Sequence, residues 1–310
     1  MATTATKRTL RKRNSNKIRE NGRVSTIVMY AIAILVLFIT LYPMYYVLIL
    51  SLSEPSAAAT MKVYTVPKGF SLAAYETLVT DSEMWRAYFN TFLYVVPTTL
   101  LMLLTCVLAA YPLTYKNLRG RKYINMFLLI PMYFSGGMIP SFLLITKLGL
   151  YDNPWSQILP ACYSIWNIIL VKSFFGTIPE TLREAAKIDG ANVYQVLLKV
   201  YLPLSAPILA VIAVYTIVGM WNSWFNALVY LPHTDWQPLQ LYLRRVLVES
   251  TETLTTTLDP DTAREMALRN LSNAQLKYAM IIFTTLPMLV VYPFFQKYFV
   301  KGVMLGSLKE

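Results

Sequence analysis

The chain has 310 residues, 56% of them hydrophobic and 14% charged, with a formal net charge of +12. A soluble domain of this size needs roughly a quarter of its residues charged to cover its exterior, so the composition excludes an ordinary soluble globular enzyme. A basic excess can also mark nucleic-acid binding, since Lys and Arg clusters are the footprint of phosphate recognition, but here the placement of the charges points elsewhere.

Between consecutive charged residues the uncharged stretches run 24–53, 87–115, 123–146, 153–171, 200–234 and 278–296. A bilayer-spanning helix needs about 20 predominantly apolar residues, and each stretch supplies them. Six spans are expected, at about 27–50, 88–112, 123–146, 154–172, 203–231 and 277–297, in an all-α polytopic membrane protein. A basic tail, 1–26, precedes the six-span domain, 27–300, and a short tail, 301–310, follows it. The first apolar stretch is too long for a secretory signal core and lacks a small-residue cleavage site close behind it, so it reads as a retained span. It carries Pro43, with Tyr42, Tyr45 and Tyr46 toward its outer end. Pro55, Pro67 and Gly69 break the external segment that follows, and Trp85 and Tyr88 suit an interface. Span two contains Pro97 and ends near Pro112; span three is interrupted by Pro131, Gly136, Gly137 and Pro140. Such breaks are tolerated in a membrane only where freed backbone groups find protein or water, so span three is expected to line a cavity. Span four is the shortest and opens with Pro154 and Trp155.

With the N-terminus placed in the cytoplasm, the inner segments hold nineteen Lys and Arg against five acids: Glu20, Glu180, Glu184, Asp189 and Glu310. The outer segments hold nine bases and eleven acids, so the net +12 divides into +14 inside and −2 outside. That is the positive-inside rule, with both termini cytoplasmic, and it leaves no role for nucleic acid. Cys106 and Cys162 lie within spans as small hydrophobes, in no metal or redox spacing, and His233 reads as a solvated turn residue. No catalytic residue and no metal site is assigned.

Between spans four and five, at 177–202, the chain turns amphipathic. Leu182, Ala185, Ala186, Val193, Val196, Leu197 and Val200 recur at helical spacing among Glu180, Arg183, Glu184, Lys187, Asp189 and Lys199, with Gly190 in the middle. Two short helices meeting at a glycine turn are predicted, presenting one apolar ridge with flanking charges. Periodicity alone leaves two readings open, a helix lying on lipid and a helix docking on a partner.

Glu184, Ala185 and Ala186, then Gly190, then Val200 and Leu202-Pro203 fall at the spacings of the loop motif of permease subunits of ATP-binding-cassette importers, with Val200 where that pattern has isoleucine. The chain resembles this MetI-like, type I importer family from its first span to its end. Asp189-Gly190-Ala191, the run Tyr201 to Ile208 and the C-terminal Phe299 to Met304 are similar to the carbohydrate branch, the last to the maltose-type smaller permease subunit. The run Phe134 to Pro140, with Leu148 to Leu150, resembles permeases assigned to complex oligosaccharides and polysaccharide fragments.

The resemblance implies half of a bacterial cytoplasmic-membrane pathway that imports a sugar. It also implies a related second permease subunit, two ATPase subunits that bind ATP and magnesium, and an extracytoplasmic solute-binding protein. The loop 177–202 is then the helix-turn-helix coupling element: Ala185 and Ala186 keep its docking face thin, Gly190 allows a sharp turn, and Glu184 and Asp189 pair with basic groups on the ATPase. Leu202 and Pro203 close the motif, Pro203 starting span five. The sequence contains no Gly-x-x-x-x-Gly-Lys-[Ser/Thr] phosphate loop, so it carries no nucleotide cofactor of its own. The alternative is an ion-coupled secondary sugar carrier, weakened by the lack of ionisable groups in the six uncharged stretches.

Sugars are held by aromatic faces and by amides. The candidate substrate pathway therefore comprises Trp166 and Asn167 in span four and Trp221, Asn222 and Asn226 in span five, the two asparagines on one helical face. Trp224 and Tyr230 suit an interfacial belt. In the outer loop, Arg244 and Arg245 read first as a salt-bridging rim for the binding protein, and second as a lure for an acidic glycan.

Overall fold

The computed structural model describes residues 23–61, 63–252 and 273–294, and every regular element among them is helical. The basic tail before residue 23, the threonine-rich stretch 253–272 and the C-terminal motif at 299–304 lie outside the described residues.

Helix α1 (Arg23–Ser51) contains Pro43, and its large apolar side chains from Ile27 to Tyr45 are exposed, as a lipid-facing surface requires. Up to Val47 it forms a unit of its own, and the chain from Leu48 forms another. In the second unit, α2 (Pro55–Thr60) and α3 (Ala73–Thr80) precede α4 (Ser82–Ala110), which Asp81 caps by accepting from the amides of Glu83 and Met84. A 3₁₀ turn, Pro112–Thr114, leads to α5 (Arg121–Tyr133) and α6 (Met138–Lys147). Next come α7 (Trp155–Ala161) and α8 (Ile165–Phe175), then α9 (Glu180–Ile188) and α10 (Val193–Val196). A π turn (Leu197–Tyr201) joins α10 to α11 (Leu202–Leu204), which is followed by α12 (Ala206–Trp221) and α13 (Phe225–Tyr230). The described chain ends with α14 (Leu239–Glu252) and α15 (Asn273–Phe294).

Three helices are long and apolar enough to cross a membrane singly, at Ser25–Ser51, Ser82–Thr114 and Asn273–Phe294, and three bent pairs bring the number to six if each pair is one span. Each bend has a cause in the sequence. Between α5 and α6 the axis turns by 112° at Gly137, whose φ of +86° with extended ψ belongs to glycine. Neither helix is packed inside the unit: α5 buries no side chain and α6 buries only Ile145, so this span offers its surface outward. Between α7 and α8 the 42° bend follows Pro160.

Span five departs most from expectation. The run Val193–Leu204 continues through Pro203 and bends by 76° only at Ser205, where Pro207 at the start of α12 prevents continuation. The π turn just before Pro203 widens the helix where the proline can supply no amide. After the bend, α12 starts at Ala206 and stops at Trp221, and α13 takes up the chain again at Phe225.

Helix α4 is the axis of the second unit, packing against α12, α8, α7 and α14. It runs through three buried clusters. At its start Met84, Ala87 and Tyr88 pack with Trp221, Leu239, Tyr242 and Met280; midway Tyr94 meets Ile158, Ala227 and Leu241; at its end Cys106, Val107 and Ala110 pack with Val171, Phe175, Val196 and Leu197. Both cysteines are free.

Candidate functional site

The segment 177–202 is built by three local devices. Helix α9 ends in a Schellman motif: the Gly190 amide donates to Lys187 O at 3.0 Å and the Ala191 amide to Ala186 O at 2.9 Å, while Gly190 takes φ +77°. A Cβ on Gly190 would meet nothing within 4 Å, so the glycine is needed for its dihedral and not for space. Asn192 and Gln195 then form a reciprocal capping box, each side chain accepting the other's amide at 2.8 Å, which starts α10. The two helices and the glycine turn are as predicted; the single ridge is not. Val196 and Leu197 are buried and Ala186 and Val200 pack against them, whereas Leu182, Ala185 and Val193 face outward. The reason is that α10 is packed into the core at the end of α4 while α9 lies on top of it. Ile188, 86% exposed, joins Leu182 and Ala185 on the outward face, flanked by the exposed Glu184 and Asp189.

What fastens α9 is a residue that sequence reasoning listed only among the flanking charges. Arg183 is 9% exposed; its guanidinium lies 4.6 Å from the centre of the Tyr115 ring and pairs with Glu180. Glu180 also accepts from Lys116 at 3.2 Å, and this hydrogen bond, followed by the charges of Lys116 and Arg183, holds its carboxyl below the usual carboxylate range. Tyr115 shares a hydrogen bond of 2.8 Å with Tyr111, which donates to Val193 O at 3.2 Å and meets Phe175 and Tyr201 edge to face. A cation-and-ring network thus ties α9 and α10 to the end of α4. The Glu180/Arg183 spacing of three was the sequence signal available for it.

The substrate-pathway candidates have unlike surroundings. Trp221 is 3% exposed, donates its indole N–H to Thr284 O at 3.3 Å and packs between Tyr88 and Phe92, so it is a core residue in this conformation. Asn222 and Asn226 do not share a helical face: α12 ends at Trp221 and α13 begins at Phe225. Asn222 bonds back to Val218 O at 3.0 Å, stopping its own helix. Trp166 is 56% exposed, and the neighbouring Asn167 is buried with its amide against the Met102 sulfur. Tyr230 is buried against Phe142 and is no belt residue.

At the other end of α4 the segment 235–245 is held by short, directed bonds. Asn90 donates to Asp235 O (2.7 Å) and Gln237 O (3.1 Å), Tyr94 to Trp236 O (2.6 Å), and the Leu239 amide to Thr91 Oγ1 (2.9 Å). Arg86 pairs with Asp235, and Tyr242 with Asp81. Arg245 is taken by Glu83 at 2.5 Å, so it has an internal partner, and Arg244 lies over the Trp224 ring. His233 is exposed and pairs with Asp152.

Comparison with known proteins agrees with this architecture. Residues 104–305 match the family model described as binding-protein-dependent transport system inner membrane component. The chain is 37% identical to Protein LplC of Bacillus subtilis (strain 168) over 87% of this chain and 90% of that protein. It is 33% identical to the polygalacturonan/rhamnogalacturonan transport system permease protein YtcP of the same organism, over 93% and 99%. A solved chain of a bacterial ABC transporter involved in the import of the acidic polysaccharide alginate superposes with a TM-score of 0.79 at 34% identity, covering 89% of this chain and 97% of that one. An all-helical chain that crosses the membrane, carries the loop motif between two bent spans and matches these transporters along most of its length belongs to the binding-protein-dependent transport system inner membrane component family, and is a permease subunit of an ABC transporter.

Proposed function

We propose that the chain forms half of the membrane pathway by which a bacterium imports a sugar, an oligosaccharide or polysaccharide fragment. Its partners are a related second permease subunit, two ATPase subunits holding ATP and magnesium, and an extracytoplasmic solute-binding protein, with both of its own termini in the cytoplasm. The sugar class rests on the named transport roles of the relatives and on the carbohydrate-type motifs of the sequence. These relatives favour the ABC reading over an ion-coupled carrier.

The observation that carries the coupling role is the two-sided character of α9. One face is clamped through Arg183 to Tyr115, in the segment that follows α4, and the other presents Leu182, Ala185 and Ile188 between Glu184 and Asp189 to the outside. A short, rigid, capped helix with an apolar strip and flanking carboxylates suits a groove with basic rims on a moving partner. Ala185, Ala186 and the Gly190 turn keep it thin and fixed, and the Leu202-Pro203 segment hands its motion to α12. Closure of the ATPases would then rock the spans between two packed states.

In the assembled transporter, Glu184→Lys is expected to abolish ATP-driven sugar uptake while membrane insertion and subunit assembly stay normal. Normal uptake by this variant overturns the coupling role of α9.

A further inference from the structure

We infer that the cleft between the end of α4, the start of α5 and the end of α8 binds a phosphate-type oxyanion, supplied in the membrane by the headgroup of an anionic phospholipid. The cleft is about 440 Å³, and its charged lining is Lys116, Arg121, Lys172 and Arg183 with the single carboxylate Glu180. That carboxylate is already committed to Lys116 and Arg183. The other two cations have no acid: Arg121 gives its Nε to Leu113 O at 2.9 Å and Lys172 gives its ammonium to the neutral Asn125 Oδ1 at 2.6 Å. Neither has an ion-pair partner among the described residues. Like charges gathered at one cleft without compensation are unfavourable, and an oxyanion with several acceptor oxygens supplies what the protein omits.

A second cleft of about 570 Å³ shares Lys116 and Arg121, adds Lys122, and wraps the first turn of α5, where the helix dipole contributes further positive potential. Lys116 and Arg121 follow one candidate membrane helix and open the next, and Lys172 sits in the last turn of α8, so the cations cluster at helix ends, where a spanning helix meets lipid headgroups. Tyr123, Phe127 and Ile130, at i, i+4 and i+7 of α5, are all exposed and lead away from the cations along the span. A charged head with an apolar tail on one helix face fits a phospholipid better than free phosphate or a protein carboxylate. Because Glu180 and Arg183 border the same cleft, an occupied site would also steady the clamp under α9. The inference rests on the chain spanning a membrane and not on the role assigned to α9.

The test uses the assembled transporter in phosphatidylcholine nanodiscs doped with phosphatidylglycerol, with retained lipid counted by native mass spectrometry. At roughly five-fold per cation, Arg121→Gln with Lys172→Gln should weaken phosphatidylglycerol retention by about twenty-five-fold relative to phosphatidylcholine. The charge-preserving pair Arg121→Lys with Lys172→Arg should keep it, which separates a lost site from a damaged fold. Equal retention in the wild type and the Gln pair overturns the proposal. Inorganic phosphate at constant ionic strength should not displace the lipid; if it does so at millimolar concentration, the ligand is the free anion and the lipid source is wrong. Protection of these side chains by the ATPase subunits alone, in detergent without anionic lipid, would assign the cleft to a protein contact and likewise overturn it.

Discussion

In its N-terminal half α4 grips the segment 235–239 through side chains aimed at backbone groups, Asn90, Tyr94 and Thr91 together satisfying three carbonyls and an amide. Past its C-terminal end the contacts with α9 and α10 are mostly rings and cations, Arg183 over Tyr115 and Tyr111 against Tyr201 and Phe175, with a single side-chain bond to a backbone carbonyl, Tyr111 to Val193 O. Hydrogen bonds to carbonyls are directional and fail within a fraction of an ångström. Ring edges and cation–π contacts change slowly with distance and tolerate sliding. One helix therefore has a fixed clamp at one end and a more compliant joint at the other; on the coupling role proposed for α9, that would let a displacement pass along α4 without unseating the segment 235–239.

The sharpest way to break this contrast is at the fixed end. Asn90→Leu leaves the carbonyls of Asp235 and Gln237 without their donor and should cost about 2 kcal/mol. The thermal unfolding midpoint of the purified complex should fall, while sugar moved per ATP in the protein that remains folded stays at the wild-type value. Arg183→Met keeps the side chain's apolar bulk over Tyr115 but removes the charge, at about 1.5 kcal/mol for a partly screened pair with its ring contact. Its signature should differ in coupling: a fall in midpoint somewhat smaller than that of Asn90→Leu, together with a clear loss of uptake per ATP. Equal loss of stability and coupling in both variants would mean that the two ends are not different in kind.

A smaller effect tests the turn itself. Gly190→Ala meets no atom but must hold φ +77°, a strain of about 1 kcal/mol, and Gly190→Asn should recover part of it. Hydrogen exchange at the Gly190 and Ala191 amides, which close the Schellman motif, reads that ranking directly.

How much of this was legible beforehand follows the physics of each feature. Charges are so costly in a bilayer that their gaps outline the membrane helices, and α4, α12 and α15 lie largely in those gaps. The Gly190 turn was legible because one residue type serves that dihedral. The bend at Ser205 was not, since Pro203 and Pro207 both mark a boundary and only the π turn at Leu197–Tyr201 decides which acts. Asn222 and Asn226 seemed to share a face because four residues make a turn only in an unbroken helix. Arg183 stood only among the flanking charges because its burial depends on Tyr115, far back in the chain, and no local pattern carries a contact between distant segments.

The smallest effect concerns the pH dependence of the compliant joint. Glu180 is held below the ordinary carboxylate range by the Lys116 hydrogen bond first and then by the Lys116 and Arg183 charges. A carboxyl depressed in the folded state contributes stability that is fully present above its unfolded value and is lost as pH falls through its folded one. The difference in midpoint between wild type and Glu180→Gln should therefore stay constant from about pH 8 to about pH 5, and shrink only below the ordinary carboxylate value of about 4.3. Because Glu180 and Lys116 are exposed, the difference should be small and should shrink further with added salt. A difference that closed between about pH 8 and about pH 6 would require a histidine-like group at this joint, and His233, the only histidine in the sequence, pairs with Asp152 instead. Such a result would show that the compliant joint is governed by something other than the Glu180 pairings.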